Sequence, residues 1–410
     1  MADLSRRTDG RTHGRTSGPS DGAPVRPSDS ATVRPSALLA TYSQFPIHPV
    51  RGEGSWLIDE NGDRWLDAYG GHAVSSTGHS HPHVVEAIQG QAAQLIFYSM
   101  AVPLPQRVQL ADELAARSPG DLSKVFFCNS GAEANENALL IARKATGRQK
   151  IVSISGGWHG RTLGVAAVTD GAKYQAPAIR AGVPLSTKVA FNDPKGFDGV
   201  VDETVAAVIL EPIQGMSGAK DCTVEFLQAA RAACDKAGAV LIYDEIQCGV
   251  GRTGKFTAAE SFGVTPDIIT LAKGLASGLP IGATIITTAL AAKLDSGDLG
   301  STFGGGPVPC AAGLATLEVM DREDVLANVT AVGKRLTDGA LKLGAKKVWG
   351  RGLLLGLDLG RPAAEIQKKL WEKKILVGTS GDPNVVRLLP PLTLSAAEAD
   401  LVLSGLKDVL

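Results

Sequence analysis

Apolar residues fall in short runs separated by amphipathic stretches, and this rhythm predicts buried strands alternating with helices. Residues 124–128 are a short β-type run, and 206–210, 239–243 and 268–271 are apolar runs of strand length, too continuous to leave one face in water. Residues 133–145 and 223–236 repeat apolar positions at helical spacing. In the second stretch Phe226, Leu227, Ala230, Ala233 and Cys234 fall on one face. Nearer the N-terminus, Trp56-Leu-Ile-Asp59 and Arg64-Trp-Leu-Asp67 flank Asn61-Gly62, a strong signal for a hairpin turn. Beyond about residue 310 the pattern is helix-rich, with 352–359 and 385–389 as further strands, and no internal repeat is visible. The expected fold is α/β, a mostly parallel sheet covered by helices on both faces. Residues 76–310 are expected to form the large domain. Residues 37–75 and 311–410 are expected to combine into a smaller α+β domain.

Composition narrows the function classes. Lys plus Arg (41) nearly cancel Asp plus Glu (42), and no polybasic stretch suits a phosphate backbone, so nucleic acid is not an expected partner. No run reaches the roughly 18 apolar residues of a membrane helix, so neither is a membrane. Residues 1–36 are rich in Arg, Ser, Gly, Pro and Thr and read as a disordered tail. Six arginines raise the alternative of a transit peptide, which Asp3, Asp9, Asp21 and Asp29 oppose; no apolar segment suits a secretory signal. Cys128, Cys222, Cys234, Cys248 and Cys310 are scattered without a CxxC pair, which fits a reducing cytoplasm rather than a disulfide framework or zinc site. His79, His81 and His83 resemble a metal tract, but Pro82 interrupts them and no acid or cysteine stands nearby in sequence. They read as a turn, and no metal is expected.

In an open parallel sheet, ligands collect at the carboxyl ends of the strands. After 124–128 comes Asn129-Ser-Gly-Ala-Glu-Ala134, where Ser130, Gly131 and Ala132 begin a helix. Alone this is equally an anion site or a capped tight turn. After 239–243 comes Asp244, alone a cap or loop carboxylate as readily as a functional one. After 268–271 comes Lys273, alone a surface lysine. Together these residues supply what pyridoxal 5'-phosphate requires: an amine for the aldehyde, an anion for the pyridine nitrogen and a helix N-terminus for the phosphate.

With these parts in place the chain resembles the class III (fold type I) aminotransferases, particularly their acetylornithine and ornithine members. The resemblance spans residues 41–410. It rests on Gly78-His-Ser-His-Pro82, Asn129-Ser-Gly-Ala-Glu-Ala134, Trp158-His-Gly-Arg-Thr162, Glu211-Pro-Ile-Gln-Gly215, Asp244-Glu-Ile-Gln247 with Gly251-Arg-Thr-Gly254, Leu271-Ala-Lys-Gly274, Ser301-Thr-Phe-Gly-Gly305 and Arg387-Leu-Leu-Pro-Pro-Leu392. Eight motifs in the correct order leave no room for chance.

The resemblance implies a seven-stranded, mostly parallel sheet. It implies Lys273 as the Schiff-base lysine and proton shuttle, and Asp244 as the partner of the ring nitrogen. Gln247 would stand at the ring oxygen, Trp158 would stack on the ring, and Ser130, Gly131 and Ala132 would hold the phosphate. Thr302 would reach the phosphate of a neighbouring subunit, which implies a homodimer with shared active sites. Ser301 and Tyr42 would lie beside the substrate, Arg161 and Arg387 would grip carboxylates, and Glu211 would support the site. The implied reaction moves the terminal amine of an N-acylated basic amino acid, N-acetylornithine, to 2-oxoglutarate by a ping-pong route, in arginine or lysine formation. Ornithine, 4-aminobutyrate or another ω-amine is the alternative donor, and an aminomutase is the alternative reaction. One position departs from the family pattern. Met216 stands where relatives carry a glutamate able to pair with the arginine matching Arg387, so Arg387 stays open to a carboxylate or finds another partner.

Overall fold

The computed structural model describes residues 37, 39 and 41–410; the expected tail, 1–36, lies outside the described residues. Seven strands form the central sheet, in the order Leu122–Cys128, Gly282–Thr287, Ile268–Leu271, Val240–Asp244, Val205–Leu210, Lys150–Ile154, Thr187–Val189. Gly282–Thr287 runs antiparallel to both its neighbours, and the other pairings are parallel. Every residue of Val205–Leu210, Val240–Asp244 and Ile268–Leu271 is buried, the burial that continuous apolar runs demand.

The helix Gly131–Thr146 starts and stops where its chemistry dictates. Ser130 caps it by accepting from the Glu133 amide, Glu133 returns a bond to the Ser130 amide, and Gly147 ends it at φ +70°. Ala138, Leu139, Ile141 and Ala142 pack with Ile151, Ala207, Ile209, Val240, Ile242 and Ile268 in one core cluster. The helix Val224–Ala237 is capped by Thr223 and buries Phe226, Leu227, Ala230 and Cys234.

Register sets the site. Tyr243 pairs with Leu210 on one side and Ile269 on the other, and Asp244 pairs with Thr270. The carboxyl ends of three adjacent strands are therefore level, and Glu211, Asp244 and Lys273 emerge from them at one edge of the sheet.

Two four-stranded sheets lie beside the central one, and the first joins the two ends of the 47–410 unit. The Asn61-Gly62 hairpin forms, with Leu57 opposite Trp65 and Gly62 at φ +84°. Its second strand, Arg64–Asp67, also pairs in parallel with Ile375–Leu376. Lys347–Arg351, Leu354–Asp358, Val385–Leu388 and Gly378–Thr379 make the other sheet. Strand boundaries move by one or two residues from the sequence reading: 352–359 becomes Leu354–Asp358, and Asp244 closes its strand rather than following it. Each histidine of the 79–83 tract meets a carboxylate remote in sequence: His79 meets Asp67 at 2.8 Å, His81 Glu323 at 3.0 Å and His83 Glu318 at 2.6 Å. Among the described residues no helix is long and apolar enough to cross a membrane.

Candidate active site

A cavity of about 320 Å³ opens at the level strand ends. Seven of the eight residues expected to hold a cofactor line it: Ser130, Gly131, Ala132, Trp158, Asp244, Gln247 and Lys273. Its wall also includes Glu211 and Met216.

Asp244 is buried and held from three directions. Its Oδ2 accepts from Asn135 Nδ2 at 2.7 Å and His159 Nδ1 at 2.9 Å, and its Oδ1 accepts from the Ile246 amide at 3.1 Å. Asn135 is itself fixed, donating also to the His159 carbonyl and accepting from the Thr270 hydroxyl. A buried carboxylate persists only with such partners. Because Oδ1 takes a single amide, a lone pair remains for one further donor.

Lys273 follows Ile268–Leu271 in left-handed backbone, φ +43°. Burial pushes its amine below the ordinary lysine range, against the attraction of Asp244 and Glu211 and with the repulsion of Arg387. Glu211 accepts from the Trp158 amide at 2.7 Å and the Gly215 amide at 3.1 Å. Desolvation first, then the neighbouring Asp244, pushes its carboxyl up to about 8 despite those bonds. The Trp158 ring meets Tyr174 edge-on, with centroids 4.4 Å apart, and carries Arg161 at 5.4 Å on its face.

The substrate residues expected from sequence are less tightly gathered, and none of the four lines the cavity. Arg161 is exposed but stacked on Trp158. Ser301 Oγ accepts from Asn129, a cavity residue, at 3.2 Å. Arg387 is only 3% exposed. Its Nε donates to the Thr379 carbonyl at 2.7 Å and its Nη1 to the Gly215 carbonyl at 3.0 Å, so the departure at Met216 is met by other partners. Thr302 is exposed and does not line the cavity of its own chain. Tyr42, also exposed, belongs to the separate unit Met1–Pro46.

His159 and Asn135 escaped the sequence reading. Both were within reach of it: His159 lies inside Trp158-His-Gly-Arg-Thr162, and Asn135 sits among Gly131, Ala138 and Ala142 on the apolar face of its helix, where a buried amide must find a partner. The cavity fits pyridoxal 5'-phosphate on its own evidence. Its donor set is an amine, a carboxylate with an open lone pair and a capped helix start, and the buried Gln247 Oε1 has no protein partner among the described residues.

This sheet and this strand-end cavity define a fold type I transferase. The family follows directly: the model of the class-III aminotransferases matches residues 39–410, and the chain belongs to that family. It is similar to the acetylornithine aminotransferase of Archaeoglobus fulgidus, with 41% identity over 88% of this chain and 95% of the relative. Among solved structures it resembles the ornithine aminotransferase of Toxoplasma gondii, with a TM-score of 0.85 and 28% identity over 91% of this chain and 92% of that one. It also resembles an amine transaminase from an uncultivated Pseudomonas species in PLP-bound form, with a TM-score of 0.80 and 28% identity over 90% and 97% of the two chains.

Proposed function

We propose that the chain transfers the terminal amine of N-acetylornithine to 2-oxoglutarate, with pyridoxal 5'-phosphate held in the strand-end cavity. The observation that carries this is the convergence of Lys273, Asp244 and the Ser130–Ala132 helix start on one cavity, in a chain whose full-length relatives are named acetylornithine aminotransferases. When bound, the cofactor supplies an aldehyde that takes up amines and a ring that withdraws electrons from the attached carbon.

The protein's part is to bind, orient and move protons. Lys273 Nζ, kept toward its neutral form by burial, would take the proton from the substrate carbon and hand it to the C4′ carbon of the cofactor. Asp244 would accept from the ring nitrogen, its orientation locked by Asn135 and His159. Gln247 would meet the ring oxygen, Trp158 would cover one ring face, and Ser130, Gly131 and Ala132 would receive the phosphate. Arg161, Arg387 and Ser301 would receive the substrate and its carboxylates.

A homodimer completes the reading. Ile96, Phe97 and Tyr98 are exposed, and Phe97 packs on the exposed Phe303 with centroids 5.2 Å apart. An apolar patch beside Thr302 suits a second copy of the chain and would bring Thr302 to its partner's phosphate. The five free, buried cysteines support a cytoplasmic setting.

The test is a half-reaction. Enzyme loaded with pyridoxal phosphate should lose its visible absorbance on addition of N-acetylornithine and regain it with 2-oxoglutarate. Faster bleaching by ornithine or 4-aminobutyrate would move the assignment to that donor. Turnover of one substrate without an acceptor would replace transfer by a mutase reaction.

A further inference from the structure

The turn that carries Lys273 is held in a backbone that side chains disfavour at both ends. The one-turn helix Lys273–Ala276 begins at Lys273, φ +43°, and is closed by Ser277, φ +46°, in a left-handed position that glycine usually fills. Ser277 departs from that preference, and its hydroxyl is the hub of a buried cluster. Ser277 Oγ lies 2.9 Å from Ser76 Oγ, 2.9 Å from Thr77 Oγ1 and 3.1 Å from Thr316 Oγ1. Ser76, Thr77 and Thr316 are each at most 3% exposed.

Counting protons directs the cluster. Each hydroxyl has one proton to donate. That of Ser76 goes to the Gly274 carbonyl at 2.6 Å, and that of Thr316 to the Ala312 carbonyl at 2.8 Å. Ser277 therefore donates to Ser76 and accepts from the Thr77 hydroxyl. A single chain of hydrogen bonds runs from Thr77 through Ser277 and Ser76 to the Gly274 carbonyl, on the residue that follows Lys273. It ties the lysine turn to residues 76–77.

From this geometry we infer that Ser277 is a positioning residue for Lys273: its hydroxyl locks the strained turn and so fixes where the amine stands. The assignment rests on Lys273 being the reactive amine. Besides the turn, the groups bearing on that amine are Asp244, Glu211, Arg387 and Cys248, and burial lowers its proton affinity. A loosened turn admits water to the amine and raises that affinity.

Ser277→Gly keeps the left-handed backbone and removes the hydroxymethyl group, and Thr77→Val replaces the hydroxyl that feeds it by a methyl. Both should unfold at temperatures near that of the wild type yet lose about 10-fold or more in kcat, with the KM for 2-oxoglutarate little changed. In the full chain freed of cofactor, acetic anhydride labelling of Lys273, read by peptide mass spectrometry against pH, should shift its midpoint upward in both variants. Thr77→Ser, which keeps the hydroxyl, should match the wild type in both readouts. Wild-type kcat and an unmoved labelling midpoint in Ser277→Gly would overturn the assignment. A wild type that never gains visible absorbance with pyridoxal phosphate would sink the functional reading instead, and the labelling series, which needs no cofactor, would still decide the role of Ser277.

Discussion

Glu211→Gln should make the protein less stable in mild acid and more stable in alkali. In the folded chain the carboxyl is pushed up to about 8 by burial and by Asp244, against an ordinary value of 4.5. Between those two values the folded state holds a proton that the unfolded chain has lost. Stability therefore falls as pH rises, by about 1.4 kcal/mol per pH unit, and the whole excursion is about 3–5 kcal/mol. Glutamine abolishes that slope at a fixed cost. Its oxygen can keep the Trp158 amide, but its NH2 then faces the Gly215 amide, and an unsatisfied buried donor costs about 1–3 kcal/mol. The two stability curves should cross between about pH 5 and pH 7, with the variant the more stable protein above the crossing. Urea unfolding of both proteins from about pH 5 to pH 9 measures this, because every other titrating group is common to the pair. Parallel curves with no crossing would refute the claim that Glu211 is carried as a neutral acid.

Other consequences follow from named contacts. Gly131→Ala should destabilise by about 1–3 kcal/mol, since an added Cβ would stand 2.8 Å from two carbons of Ile246; an unchanged melting temperature would show that the helix start has slack. His159→Phe keeps a ring but removes a donor from Asp244, and should weaken pyridoxal phosphate binding by about 10-fold in equilibrium titration. Binding equal to the wild type would mean that Asn135 and the Ile246 amide suffice. Met216→Glu should shift preference between ω- and α-amine donors by giving Arg387 a carboxylate to pair with; identical donor ratios before and after would remove residue 216 from specificity.

What was legible in the sequence was local or carried by motif order. The continuous apolar runs fold as interior strands because only a sheet covered on both faces can use them, and Asn61-Gly62 turns because its backbone conformation is chemically prescribed. The strand-end positions of Asp244 and Lys273 followed from the same pattern. Contacts made across long sequence separations were not legible. The acids that meet His81 and His83 lie more than 230 residues away. Local composition gave no hint that two non-glycine residues, His72 and Ala73, would adopt left-handed backbone beside Gly70 and Gly71. The role of His159 as a prop for Asp244 depends on the register that levels three strand ends, which no window of sequence contains.

Arg387 illustrates how tertiary structure can answer a departure in sequence. A guanidinium buried without a carboxylate must be satisfied by other acceptors or leave its position. Here strand pairing does the work: Arg387 lies opposite Gly356 on one neighbouring strand and Gly378 on the other. The Thr379 carbonyl then takes Nε, the Gly215 carbonyl takes Nη1, and the Tyr69 hydroxyl stands 3.4 Å from Nη2. Of five N–H groups in the planar fork, two are spent on rigid backbone and one is weakly engaged, which fixes the plane of the group while leaving two for a ligand. A carboxylate would then meet a fork already oriented, with little ordering cost. A glutamate at position 216 would have to be displaced before each such encounter, whereas methionine imposes no such exchange. On the proposed function, the same fixed geometry that holds this buried cation in place would leave its remaining donors for an acid throughout the cycle.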